Sequence, residues 1–165
     1  YLWITGRAKD LIIRGGHNID PAEIEEGMLS HPDVVGAAAI GQPDSFAGEL
    51  PCVYVQLREG AEVTVEALAA HAREHIHERA AIPKHVEILP ELPVTAVGKV
   101  FKPELRRLAI ARVLDAALAD SGARVAEVVE DRKRGLTARI ARTPGTDEDA
   151  VRAKLGSYTV PWDWA

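Results

Sequence analysis

The chain has 165 residues, 47% of them apolar and 5% aromatic, with a formal net charge of −5. That is enough apolar material for a core of small aliphatic side chains, and it excludes a disordered tail. No basic stripe interleaves with exposed aromatics, which argues against nucleic acid as a partner, and no apolar run reaches the length of a bilayer span.

Residues 2–5 and 10–14 read as two short strands joined by Gly6–Lys9. The chain starts at Tyr1, inside the first of them and with no methionine, so a piece of a longer protein is expected. Gly15 and Gly16 supply backbone freedom, either as a plain turn or where a ligand passes close to the main chain. Asp20 is the expected N-cap of a helix, with Pro21 first and Glu23 third, running to about His31. Residues 34–41 read as a buried strand, 42–50 as a turn-rich loop and 51–58 as another strand. Val65, Leu68, Ala69, Ala72 and Ile76 then share one helical face within 64–80. A short strand at 84–89 precedes a loop punctuated by prolines, and Pro103 opens a further helix that ends near Ser121–Gly122.

Beyond about residue 120 the composition shifts. Residues 124–142 read as a β-hairpin, Thr146 as the cap of a helix over 147–156, and 157–165 as a tail. The expected fold class is therefore α+β: a small mixed sheet with helices packed on it, preceded by a short β-hairpin and followed by a hairpin-and-helix extension. The expected domains are 1–120 and 121–165.

Lys99 follows Gly98 in a loop held by Pro93 and Pro103. It could project a mobile charge onto a phosphate or carboxylate, or simply be a solvated loop lysine. A Walker-A loop is excluded, since Pro93 stands for its first glycine and Val100 follows the lysine. Arg7 could fork onto a ribose or phosphate. His71 and His75 lie one helical turn apart but have no obvious third ligand, so no metal is expected. The single Cys52 lies in an apolar strand, which reads as core and fits a reducing, cytoplasmic setting.

Taken together, two separated stretches carry a resemblance. Residues 1–26, YLWITGRAKDLIIRGGHNIDPAEIEE, resemble the hinge-containing motif of the acyl-CoA synthetase (adenylate-forming, AMP-binding) superfamily. Residues 92–107, LPVTAVGKVFKPELRR, resemble its catalytic-lysine motif, most like that of bacterial fatty-acyl-CoA synthetases. The resemblance covers residues 1 to about 115. It implies the small C-terminal lid domain of an AMP-forming acid–thiol ligase, inactive without its large N-terminal domain. That domain would hold ATP, the fatty or other carboxylic acid and a Mg2+ ion. It also implies a swing of the small domain between adenylate formation and thioester formation with CoA.

By matched position, Lys99 is the adenylation lysine, and Lys9 with Asp10 is the hinge. Arg7 and Asn18 lie toward the nucleotide, while Gly15 and Gly16 lie beside the pantetheine arm of CoA. Acetylation of Lys99 would be an off-switch. Asn18 stands where some relatives carry arginine, and Ala96 and Val97 are apolar where relatives are often polar or basic. The alternatives are an adenylation domain that loads a carrier protein's phosphopantetheine, or a stand-alone α+β binding module.

Overall fold

A computed structural model describes residues 8–165. They form two compact units, one comprising the chain up to Gly41 with Glu49–Leu105, the other Gln42–Gly48 with Arg106–Ala165. The division falls within a helix; the shift in composition lies farther along, near residue 120.

In the first unit a 3-10 turn at Ala8–Asp10 leads into strands β1 (Ile12–Arg14) and β2 (His17–Ile19), which pair antiparallel with Ile12 opposite Ile19. The turn between them is the glycine pair, at φ +55° and +82°. A two-residue hairpin turn that matches strand twist needs positive φ at both positions, and glycine adopts it without steric cost. The expected strand at 2–5 lies outside the described residues. The expected strand at 10–14 is shorter, because Asp10 ends the 3-10 turn, and its partner is the following segment, 17–19.

Helix α1 (Pro21–Leu29) starts as the sequence requires, with Asp20 accepting from the Ala22 amide at 2.9 Å. Loss of such a cap costs about 1 kcal/mol. Glu23 does not fold back onto the cap; its carboxylate accepts from the Glu78 amide at 3.1 Å and ties down the chain beyond the next helix. Strands β3 (Val34–Asp44) and β4 (Gly48–Leu57) leave a connection of only Ser45–Ala47, shorter than the expected loop. β3 ends the strand path β2-β1-β4-β3, so Pro43 stands on an edge strand, where a proline is tolerated. β4 is buried from Pro51 to Val55, Cys52 included, as expected of an interior strand covered on both faces.

Helix α2 (Val65–His75) is capped by Thr64, and β5 (His85–Ile88) runs parallel to β4. α2 stops five residues before the periodicity suggests. Ile76 turns to extended backbone, 3% exposed, and packs where a side chain at Gly27 would stand: a Cβ there would come within 2.7 Å of it. Ile12, Ile24, Met28, Val53, Leu68 and Ile76 belong to the core of this unit.

Helix α3 (Lys102–Leu118) begins in the first unit and continues into the second. There Leu114 and Leu118 pack with Ile140 of β7 (Gly135–Arg142) and Leu155 of helix α4 (Glu148–Leu155). β7 pairs antiparallel with β6 (Ala123–Asp131). The expected tail is in part a strand, β8 (Trp162–Trp164), parallel to β7. Arg134 reaches Asp163 through two donors, at 3.0 and 2.5 Å, which holds the Asp163 carboxyl below its ordinary range. The cap of α4 is Asp147 rather than Thr146. The Thr146 hydroxyl is occupied between the Gly122 and Thr143 carbonyls, at 2.6 and 2.7 Å.

Candidate functional site

Lys99 stands on a small hairpin of its own. Val94 and Val100 form an antiparallel bridge, the Thr95 amide donates to the Lys99 carbonyl at 2.7 Å, and the Phe101 amide donates to the Pro93 carbonyl at 2.7 Å. The Gly98 amide closes the turn onto the Thr95 carbonyl at 2.9 Å, and Gly98 has φ +80°. The Thr95 hydroxyl adds a bond from the Lys99 amide at 3.2 Å. The backbone at Lys99 is thus held through both its N–H and its C=O, while the side chain is exposed. Its Nζ has no hydrogen-bond or ion-pair partner among the described residues. A fixed Cα carrying a free ammonium suits a group that must meet an incoming anion.

Lys9 and Asp10 lie in the 3-10 turn, Lys9 exposed and Asp10 half-buried. Asn18 is exposed on β2, in register with Ile13. Arg7 lies outside the described residues. A Cβ built on Gly15 or Gly16 meets nothing within 4 Å, so their local requirement here is positive φ.

Two clusters form that the sequence did not announce as such, the first by bringing Lys102 of one motif against residues of the other. A cavity of about 180 Å³ is lined by Asp10, Leu11, Asp20, Pro21, Ala22, Glu25 and Lys102. An open cleft of about 830 Å³ joins Arg14 and His17 of the first hairpin to Arg73, Arg79 and Lys84, with Ile82 and Pro83 as its apolar part. Arg14 Nη1 donates to the Ala80 carbonyl at 2.9 Å, and His17 is engaged by Glu78. Because Arg14 and Lys84 are seventy positions apart, only the fold makes this basic surface. Its sequence trace is the scatter of basic residues over 73–84.

The histidines are used between helices. His71 Nε2 lies 3.0 Å from the Gly27 carbonyl and 2.9 Å from the Ser30 hydroxyl, its ring stacked on His75 at 3.8 Å and edge-on to His31 at 4.9 Å. Among the described residues no group of three His, Cys, Asp or Glu side chains is placed to hold a metal ion. Burial lowers the His71 pKa, as do the neighbouring His75 and His31, while the Gly27 carbonyl and Glu74 act the other way without reversing it. The fold therefore favours neutral His71, and the unfolded chain binds the proton more readily. This contribution to stability is complete above the ordinary histidine value of about 6.5 and is lost as pH falls through it toward the lowered native value. Melting temperature should drop between about pH 8 and pH 5, with a shallower drop for His71→Gln. Equal slopes in the two proteins would contradict this origin.

The family described as the AMP-binding enzyme C-terminal domain matches residues 23–99. The chain is 54% identical over 112 residues to a marinolic acid–CoA ligase of Pseudoalteromonas sp. (strain SANK 73390), covering 68% of this chain and 17% of the relative. It is 40% identical over 105 residues to a long-chain-fatty-acid–CoA ligase of Bacillus subtilis (strain 168), covering 64% and 19%. Among solved structures, a fatty acyl CoA synthetase of Mycobacterium tuberculosis aligns with a TM-score of 0.57 at 36% identity, over 64% of this chain and 21% of that one. Apo MatB from Rhodopseudomonas palustris aligns at 0.58 and 35%, over 62% and 20%. The chain thus spans about a fifth of the length of the proteins it matches.

Proposed function

Residues 23–99 belong to the AMP-binding enzyme C-terminal domain family, and on that premise we propose that the chain is the small lid domain of an ATP-dependent carboxylic-acid–CoA ligase acting on a fatty or similar acid. The observation that carries this reading is the Lys99 hairpin, a bonded backbone presenting an unpaired ammonium within a family whose named relatives here are CoA ligases.

In the first half-reaction a carboxylate oxygen attacks the α-phosphorus of ATP and pyrophosphate leaves. Lys99 would sit between carboxylate and α-phosphate and offset the charge that gathers there. Arg7 and Asn18 are assigned to the nucleotide. A magnesium ion that accompanies ATP would neutralise phosphate charge and is assigned to the large domain. Lys9 and Asp10 are assigned as the hinge on which the lid that follows them turns, so that Gly15 and Gly16 come beside the pantetheine arm. The thiolate then attacks the acyl carbonyl and AMP leaves. No described helix is long and apolar enough to cross a membrane; with a single, buried cysteine at position 52 this supports a cytoplasmic setting.

The basic cleft favours CoA over a carrier protein as the thiol donor. CoA carries a diphosphate and a 3′-phosphate, whereas a carrier's arm carries one phosphodiester, and Arg73, Arg79 and Lys84 are more charge than the latter needs. The test uses the full-length protein. Acid-dependent exchange of pyrophosphate into ATP, followed by thioester release with CoA, is expected. The double variant Arg73→Ala/Lys84→Ala should raise KM for CoA about tenfold and that for dephospho-CoA much less, since a charge-assisted bond is worth about 1.5–3 kcal/mol. Exchange that needs no acid overturns the ligase assignment, and equal effects on the two thiols remove the cleft from it.

A further inference from the structure

We infer that the Glu25–Lys102 ion pair is a positioning device for Lys99, an inference that rests on Lys99 being the adenylation lysine. One oxygen of Glu25 accepts from both the Ala39 amide of β3, at 3.0 Å, and Lys102 Nζ, at 2.8 Å. Both side chains are mostly shielded, Lys102 at 17% and Glu25 at 23% exposure, so water competes for the pair less than on an open surface.

Its place in the chain gives the pair its role. Lys102 is the first residue of α3 and follows Phe101, whose amide closes the hairpin onto Pro93. The other end of the hairpin is fixed by Leu92, whose amide donates to Gln56 Oε1 on β4 at 3.0 Å and whose side chain is buried, 4% exposed. The hairpin therefore enters the fold at Gln56 and leaves it at Glu25. Between those anchors the hairpin's bonds are internal, and the tip is open, with Val97 80% exposed. Without the second anchor the hairpin keeps its shape and loses its seat. Lys99 is then displaced as a unit, and small displacements of a reacting group are costly in rate.

The pair also borders the assigned hinge. Asp10, Asp20, Glu25 and Lys102 line one cavity, so removing the lysine leaves carboxylates around it without that cation. Lys102→Met should accordingly do more harm than Glu25→Gln.

The experiment compares half-reactions in the full-length enzyme carrying Glu25→Gln, Lys102→Met or Lys102→Arg. Glu25→Gln and Lys102→Met should lower the turnover of pyrophosphate exchange by about tenfold or more, with KM for ATP and acid within about twofold. Thioester formation from pre-made acyl-adenylate should stay within about twofold, and Lys102→Arg should recover most of the exchange rate. A loss shared equally by both half-reactions would mean a general structural role and would overturn the inference, as would unchanged exchange in folded Glu25→Gln. Should Lys102→Met not fold, Glu25→Gln, which keeps the side chain's size, decides the matter. Lys99→Ala in the same assays separates the two levels. If it spares exchange, the assignment of Lys99 falls; if it abolishes exchange and Glu25→Gln does not lower it, only the positioning role falls.

Discussion

Full-length enzyme carrying Lys99→Ala should lose adenylate formation by about 10²–10³-fold while still converting pre-made acyl-adenylate to thioester within a few-fold of the parent. The magnitude is that of removing one preorganised electrostatic group from a site where charge builds up in the transition state. Here the group is an ammonium whose carrier backbone is bonded on both sides, through Thr95 and its own carbonyl, so the main chain that carries it is already in place before the reaction. Lys99→Arg should recover only part of the rate. A guanidinium delivers its charge through a planar fork on a longer, stiffer end, and a site built around a compact point charge does not fit it. The asymmetry between half-reactions distinguishes catalysis from folding, because a damaged fold would lower both. If adenylation persists at the parent rate in Lys99→Ala, the residue is an exposed loop lysine and the assignment fails.

The legible part of this molecule was the part written in local chemistry. Asp20 and Pro21 mark a helix start, and the cap bond to Ala22 is there. The glycine pair announces a need for positive φ, and the turn has it at both positions. Lys99 after Gly98 could be picked out by position, although its presentation depends on a bridge between Val94 and Val100 that no period in seven residues discloses. What escaped was set by tertiary partners. Ile76 fits the helical face of α2 but is drawn out of it, because the space beside Gly27 is where its side chain is buried. Thr146 looks like a cap until Gly122 and Thr143 claim its hydroxyl. Residues 162–164 are too few to read as a strand, and they become one because the edge of β7 is there to be paired.

The site divides along the same line. Residues named by motif stand where one segment suffices to place them: Lys99 on its hairpin, Lys9 and Asp10 in their turn. The basic cleft and the Glu25–Lys102 pair are assembled from segments tens of residues apart, so their members look like ordinary surface charges in the sequence. Lys102 illustrates the point. Three residues past Lys99 and at a helix start, it reads as one more solvated lysine, yet it is among the better shielded charges of its unit.

The second large effect is expected at the assigned hinge. Lys9→Pro should separate the two half-reactions, one falling about a hundredfold further than the other. Lys9 lies in the middle of the Ala8–Asp10 turn, and three residues beyond it Ile12 is fully buried in the core of the first unit. Rotation about the backbone at residue 9 can therefore carry that unit as a body, because the chain on its C-terminal side is already locked. Proline holds φ near −65° and removes the amide donor, and it biases residue 8 away from helical backbone. If each orientation of the lid serves one half-reaction, a lock favours whichever orientation it matches and starves the other. Lys9→Ala, which deletes the charge and leaves the backbone free, should keep both half-reactions within about threefold of the parent, separating backbone freedom from side-chain chemistry. Parallel losses in Lys9→Pro, or a Lys9→Ala enzyme as lopsided as the proline variant, would show that residue 9 is not the pivot. A lid that turns elsewhere would leave Lys9→Pro with balanced rates, and the hinge would then have to be sought at backbone that proline at 9 does not constrain.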